Sequence, residues 1–536
     1  MVLTRDDIAA GYDFIVVGAG SSGCVVAHRL ATRTAATVLL IEAGGPDSEP
    51  RIHDSSLDSV LSLWRPSALD WGYATVPQPG LGGRGVPVAR GRVSGGSSSI
   101  NALLYVRGNR RDYDRWAELG ATGWDYLSVL PYFRDSENFD GGASAYRGVG
   151  GPLNVVRHAD LTPVARKLFD AGSEIGLRDG RDGFDYNAAE QQDTVFAYQA
   201  TKNPDGTRAS AATAYLRPAL GRSNLTVVNQ ALVARIVLRG GRAQGVEYVR
   251  GGQLHRVRAG HEVIVCGGAF ESPHLLMLSG IGPAGQLRRQ GIGIEAPLPG
   301  VGANLQDHVV VPVAYLSTHA QPGPASLIAE TGFFTRTAGQ GTHEPPGLQM
   351  AFGGLKFVPP PLDRDGSGFT FAPVLVQPRS TGSVALAGPG AGRRALVDPG
   401  YLTEPADIEA LLEGVRTARA LAGGRALGAW CKEEIAPGPR VRDRASLVAY
   451  LRAYAGTLWH PVGTCRMGAE RDESAVVDPR LRVRGVEGLR VADASVMPRI
   501  VAGNTNAACV MIGEKAADLI MADHAVSAAD ARAVRS

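Results

Sequence analysis

Cysteine is scarce and scattered in this chain of 536 residues. It occurs five times, at Cys24, Cys266, Cys431, Cys465 and Cys509, with no C-x-x-C pair. That spacing excludes a disulfide framework and a zinc site, and it predicts reduced, buried thiols. No apolar stretch reaches the ~20 residues that span a bilayer. The net charge of +3 is small for the length and points to no nucleic-acid partner. Only about a dozen residues, Arg5, Asp6 and Asp7 among them, precede the first strand's apolar run, which leaves no room for a signal peptide and predicts a cytoplasmic location. No internal repeat is evident. What is there, 44% hydrophobic and 20% charged residues, describes an ordinary globular protein long enough for two or more lobes. Glycine is abundant, with 69 residues, which suits tight turns and close approach of backbone to a ligand.

The most informative stretch is Tyr12-Asp-Phe-Ile-Val-Val-Gly18-Ala-Gly20-Ser-Ser-Gly23, followed by Val38-Leu-Leu-Ile-Glu42. Phe14 to Val17 form a continuous apolar run, as in a parallel strand buried on both faces. Gly18 permits a tight turn, Gly20 lets a pyrophosphate approach the backbone, and Gly23 lets a helix pack on the strand. The helix, over about Ser21 to Thr32, points its N-terminal amides at the phosphates. Glu42 ends the second strand, where a carboxylate accepts ribose hydroxyls. Strand, helix and acid all fall where dinucleotide binding needs them. Farther on, Asn224–Val228, Val233–Leu238 and Glu262–Cys266 are predicted strands, and Leu275–Leu278 and Gly285–Gln290 are predicted helical. Gln321–Ser326, His343–Gly347 and Val358–Gly368 are predicted loops. Asp407–Leu421 has helical apolar spacing through Ile408, Leu411, Leu412, Val415 and Leu421. The tail beyond Met521 is predicted to fray.

The fingerprint alone leaves NAD and FAD both open. Three further segments bear on the choice. The first is Gly91-Arg-Val-Ser-Gly95-Gly96-Ser97-Ser98-Ser99-Ile100-Asn101, whose amides and hydroxyls suit a diphosphate or flavin edge, and whose composition equally suits a flexible surface loop. The second is Gly268-Ala-Phe-Glu-Ser-Pro273 to Gly282. The third is Trp459-His460-Pro461-Val-Gly-Thr-Cys-Arg-Met-Gly468, with Leu489-Arg-Val-Ala-Asp493-Ala494 and Gly503-Asn504-Thr505-Asn506 behind it.

Through these segments the chain resembles, over nearly its whole length, the glucose–methanol–choline (GMC) family of FAD-dependent alcohol oxidoreductases. The resemblance implies an α/β fold: a Rossmann-like FAD-binding domain with an inserted α+β substrate domain, an antiparallel or mixed sheet backed by helices. It divides the chain into FAD-binding parts at 1–151, 211–309 and 451–536, and substrate parts at 152–210 and 310–450. It implies His460 as general base and Asn504 as donor to the developing alkoxide, roles that suit a side chain titrating near neutrality and a fixed, uncharged amide. By itself His460 is one of eleven histidines, and Gly503-Asn504 is an ordinary turn pair. The cofactor contacts implied are Gly18, Gly20, Ser22, Gly23, Glu42, Ala43, Arg92, Val93, Gly96, Ser97, Asn101, Ala102, Leu103, Val233, Trp459, Asp493, Ala494, Asn504, Thr505 and Asn506. Two departures stand out: Ser94 replaces a usual apolar residue, and Thr381 a common arginine.

Some family oxidases attach FAD through a histidine where Ile100 stands, so non-covalent FAD is expected here. Choline-oxidising members carry an acid at the place of Val310, so valine disfavours choline. Trp459, Phe352, Phe357 and Phe371 are candidates for an apolar wall, although ordinary core packing is the first expectation for each phenylalanine. Glu330 reads as a pocket residue or as a solvated one. The implied reaction is oxidation of an uncharged primary alcohol to an aldehyde by hydride transfer to flavin N5, with oxygen or an external acceptor taking the electrons. The absence of a transmembrane segment leaves peripheral membrane contact open. The alternatives are a hydroxynitrile lyase on the same fold, a redox-silent flavin-binding protein, and an NAD-dependent dehydrogenase. No metal site is predicted.

Overall fold

The computed structural model describes residues 9–320 and 322–524. The apolar run at Phe14 lies at the centre of a seven-stranded sheet. Gly11–Val17 pairs in parallel with Val38–Ile41 on one side and with Gln253–Val265 on the other, and Leu225–Val228 extends the parallel set. Leu489–Val491, far away in sequence, adds in parallel to the end of Gln253–Val265. The sheet then turns antiparallel through Arg242–Arg250 and Ala231–Arg239. Two helices pack together beside it, Ser21–Arg33 and Asn506–His524, where a Cβ on Gly513 would meet the Ser22 carbonyl oxygen at 2.8 Å. An ion pair joins them, Arg29 donating to Glu514 at 2.6 and 2.7 Å. Where they run side by side at Phe14–Val17, Val38–Ile41 and Val263–Val265 the parallel strands are apolar and buried, because helices and chain cover both faces.

A second, nine-stranded sheet is mostly antiparallel and runs Cys431–Ala436, Val313–Ser317, Gly368–Leu375, Leu348–Gly353, Thr331–Thr335, Thr194–Ala197, Arg178–Asp179. Strand alternation splits its side chains. Met350, Phe369 and Phe371 face a core shared with the helices Pro163–Glu174, Pro405–Gly423 and Arg444–Tyr454, while Gln349, Ala351, Ala372 and Val374 face a deep cleft toward the first sheet. The divisions drawn at 309/310 and 450/451 cut across this pattern. Val309–Val310 and Gly456–Thr457 pair with each other, and the former also pairs with Gly368–Leu375.

Other expectations need adjustment. The strand expected from Glu262 begins at Gln253, because its first half is a polar hairpin arm. The helix expected from Leu275 starts at Gly268 and contains Pro273. The tail remains helical beyond Met521 to His524, because Asp523 receives Arg480 and Arg490 and the His524 ring nitrogen lies 2.9 Å from Glu262 Oε1. The rest of that tail, 525–536, lies outside the described residues, as do residues 1–8 and Gln321 of the first loop. Of the cysteines, Cys24, Cys266 and Cys465 are buried, but Cys431 and Cys509 are only partly so. Among the described residues no helix is long and apolar enough to cross a membrane.

A Cβ on Gly23 would lie 1.9 Å from the Gly18 carbonyl oxygen. Gly23→Ala is therefore expected to displace the first turn and cost about 1–3 kcal/mol of stability, the usual range for overpacking. A chemical denaturation curve superimposable on that of the wild type would refute this.

Candidate active site

The two glycine turns meet back to back. Gly18 has φ +98, and its would-be Cβ lies 2.6 Å from the Cys266 carbonyl oxygen. Gly96, at φ +54, approaches so closely that a Cβ would stand 2.7 Å from Gly20 Cα. The Gly95–Ser99 run is thus a buried turn rather than a surface loop, with Ser98 and Ser99 hydroxyls donating to the Gly95 and Ser94 carbonyls. The Ser21–Arg33 helix starts at Gly20 with no side-chain cap, which leaves its first amides free. The second long helix begins beside it: Ser21 Oγ donates to Asn506 Oδ1 at 2.7 Å. Two positive helix ends therefore converge on one cleft, an arrangement that attracts a diphosphate.

Glu42 is buried on the wall of that cleft and accepts from the amides of Ala19 and Gly44, both at 2.8 Å. Burial pushes its carboxyl up to about 7, against those amide bonds and Arg92. Asp493 is also buried and raised by burial; it receives Gly268 N, Ser272 Oγ and both donors of Ser495.

At the other part of the cleft a strand pair assembles the polar centre. Register Val309↔Thr457 and Val310↔Gly456 sets His308 against the segment Leu458–His460. His308 Nδ1 and His460 Nδ1 come within 2.9 Å, with their rings perpendicular. His460 Nε2 lies 3.2 Å from Asn504 Nδ2. An amide nitrogen only donates, so His460 Nε2 is the acceptor, Nδ1 carries the proton, and His308 Nδ1 accepts it. These tautomers follow from the hydrogen-bond pattern. Burial holds His460 well below its ordinary value, with His308 and Arg90 adding to the effect. Burial likewise pushes His308 down to about 3.

The backbone at this point is strained and firmly held. Trp459 has φ +61, unusual for a bulky residue. Its amide donates to Thr457 Oγ1 at 2.7 Å, its carbonyl receives Arg90 Nη2 at 2.9 Å, and the next amide, of His460, donates to Asp307 Oδ1 at 2.8 Å. Asp307, buried and raised by burial, also receives Thr457 Oγ1 at 2.5 Å and Tyr401 OH at 2.6 Å. The Asn504 loop is fixed by Ala502 N donating to Asp112 at 2.6 Å and Gln191 donating to the Ala502 carbonyl at 3.2 Å. Strain of this kind persists only where surrounding contacts over-determine it.

Gly18, Gly20, Ser22, Glu42, Ala43, Gly96, Ser97, Asn101, Ala102, Val233, Trp459, His460, Asp493, Ala494, Asn504, Thr505 and Asn506 line this single cleft. Gly23, Arg92, Val93 and Leu103 stand behind its wall: Arg92 over the Trp71 ring, Val93 and Leu103 in the core. Ser94 is buried away from it and donates to Asn229, and Thr381 is exposed. Phe357 is half-exposed at the cleft, whereas Phe371 is core, with Phe352 packed on it at 4.7 Å and bordering the cleft. Glu330 is neither pocket-lining nor solvated; it is buried and bonded to Thr162 and the Gly354 amide. Sequence reasoning missed His308, Asp307, Thr457, Tyr401 and Arg90. The signal for the first two was the stretch Leu305-Gln-Asp-His-Val-Val310, considered only for its last residue.

A family model described as GMC oxidoreductase matches residues 12–310, and its C-terminal counterpart matches 378–513. An oxygen-dependent choline dehydrogenase of Rhizobium etli is 40% identical, covering 95% of each chain. Pyridoxine 4-oxidase from Mesorbium loti superposes with a TM-score of 0.89 at 33% identity, covering 94% of this chain and 98% of its own. A fungal aryl-alcohol oxidase gives 0.83 at 26% identity, covering 97% and 100%.

The buried histidines carry a stability signature. With folded values below the unfolded ~6.5, the unfolded chain binds more protons between those limits, so stability falls as pH drops through 6.5. For His308 this amounts to about 2 kcal/mol at pH 5. His308→Gln is expected to flatten the slope of stability against pH between 6.5 and 4; an unchanged slope in denaturant titrations would show that His308 protonates freely in the fold.

Proposed function

The chain belongs to the GMC oxidoreductase family and is an FAD-dependent alcohol oxidoreductase, and we propose that it oxidises an uncharged, preferably aromatic, primary alcohol to the aldehyde with His460 as base. The observation that carries this is the His308–His460–Asn504 array, a neutral imidazole whose Nε2 lone pair lies 3.2 Å from the amide donor of Asn504. The glycine contacts, the uncapped helix start and Glu42 fit FAD, and we assign to holding it the predicted residues that line the cleft. Bound FAD supplies the hydride acceptor. Ile100, on the cleft wall, has no nucleophilic atom, which supports non-covalent attachment. We assign cofactor binding to the first sheet and its turns, and substrate contacts to the cleft face of the second.

His460 Nε2 and Asn504 Nδ2 are close enough for one substrate oxygen to reach both. Nε2 takes the hydroxyl proton as hydride departs from the carbon, and Asn504 donates to the oxygen while its charge develops. The imidazolium so formed keeps its Nδ1 proton directed at His308, which holds the ring in its orientation. Depression of the His460 pKa keeps the base unprotonated at neutral pH.

The cleft walls favour an uncharged substrate. Val310 lines the cleft, and the lining carboxylates are engaged: Glu42 by amides, Glu271 by Tyr73 and His274, Asp493 by serines. Trp459, Trp64 and Phe357 form an aromatic series, with centroids 4.8 and 6.3 Å apart, ending in a half-exposed ring. The aromatic substrates named for the pyridoxine and aryl-alcohol oxidases support the same choice.

Anaerobic absorbance titration tests this. Aromatic primary alcohols are expected to bleach the flavin and choline to leave it yellow; bleaching by choline alone would sink the proposal. His460→Ala should slow bleaching by about 10²–10⁴-fold, and Asn504→Ala by about 10²–10³-fold. Because the base is neutral well below its ordinary value, the acid limb of the bleaching rate should lie below pH ~6.5. An inflection above 7 would contradict the assignment.

A further inference from the structure

Four arginines are almost completely buried, and three of them have carboxylate partners: Arg107 with Glu137, Arg147 with Glu137 and Asp185, Arg490 with Glu262. Arg208 has none among the described residues. Its side chain is 0% exposed, Nε donates to the Ile52 carbonyl at 2.9 Å, and Nη1 donates to both Asn101 O and Asn101 Oδ1 at 2.7 Å. Nη2 is buried without an acceptor. Burial pushes the guanidinium down to about 9, which leaves it cationic at neutral pH. An unpaired charge in such a place is strongly unfavourable unless something nearby complements it.

Its one side-chain partner faces the cleft. Asn101 lies between Ile100 and Ala102 on the cleft wall. The Ile100 carbonyl receives Trp64 Nε1 at 2.8 Å, and Trp64 packs on Trp459, the neighbour of His460. Arg208 therefore stands one residue behind the cleft wall, at the segment that also holds Trp64 and, through it, packs on Trp459. Hydride brings two electrons and one proton to the cofactor while the alcohol's other proton stays on His460, so the cofactor gains one negative charge.

We propose that Arg208 is a positioning residue that fixes Asn101 and that its unpaired charge is complemented by this gained negative charge, which raises the reduction potential of bound FAD. The proposal rests on the reading of the cleft as the FAD site with its reacting end at His460. The charge is held at a fixed place in a dry interior, where it acts with little screening.

The test is the midpoint potential of the holoenzyme, measured against a reference dye during enzymatic reduction that uses no alcohol. R208Q should lower the equilibrium constant for reduction about tenfold, which is about 30 mV for a two-electron couple. R208K, which keeps the charge but loses the fork, should stay within about threefold of the wild type. An unchanged potential in R208Q overturns the proposal, whether or not FAD is held more weakly. If R208Q does not retain FAD, R208K decides: a fall of tenfold or more overturns the proposal, and a retained potential supports it. Because the reductant is not an alcohol, an incorrect substrate assignment leaves the measured potential intact, so the two failures are distinguishable.

Discussion

The contact between Gly96 and Gly20 is the constraint on which the cleft depends. With no Cβ between them, the Gly95–Ser99 turn lies directly on the first turn of the central sheet. That seating fixes where Ile100 and Asn101 emerge, and through the Ile100 carbonyl it fixes Trp64. Trp64 in turn packs on Trp459, whose left-handed backbone aims His460. A displacement at the glycines propagates along these packed and hydrogen-bonded groups, because close-packed interiors transmit strain.

Beyond that seam, the chemistry depends on polar groups sealed from water. Asp307 accepts from an amide and two hydroxyls, so it holds the geometry around His460. His308 is dry enough to stay neutral and so serves as an acceptor for His460. Each buried group removes one degree of freedom from its neighbour, leaving His460 Nε2 as the single lone pair aimed at Asn504. Organisation of this sort precedes substrate binding, which is how fixed dipoles come to stabilise developing charge.

The dinucleotide turn was legible in the sequence because its signal is local: an apolar strand, three glycines at set spacing and an acid at the next strand's end. His460 and Asn504 were legible only through the motifs around them, since a histidine and a glycine–asparagine pair have no periodicity of their own. The His308 contact was not legible, because it arises from antiparallel register between segments some 150 residues apart, and the pairing of Val309 with Thr457 is a two-residue bridge with no pattern to read. Phe371 went to the core by strand alternation, a choice that depends on which face of the second sheet the helices cover. Glu330 went inside because Thr162 and the Gly354 amide satisfy it, a long-range match that composition does not carry.

The strand Leu489–Val491 has a consequence for how the protein is made. It is the last strand laid on the first sheet, and it closes the edge at Val263–Val265, residues that leave the ribosome more than 200 residues earlier. Through that interval the nascent chain carries an apolar, unpaired sheet edge, the kind of template on which other chains add strands. The long C-terminal helix, with Arg29 waiting for Glu514, arrives later still. Covering of that edge and closure of the cleft are therefore both late steps of synthesis, and until then the edge is open to other chains.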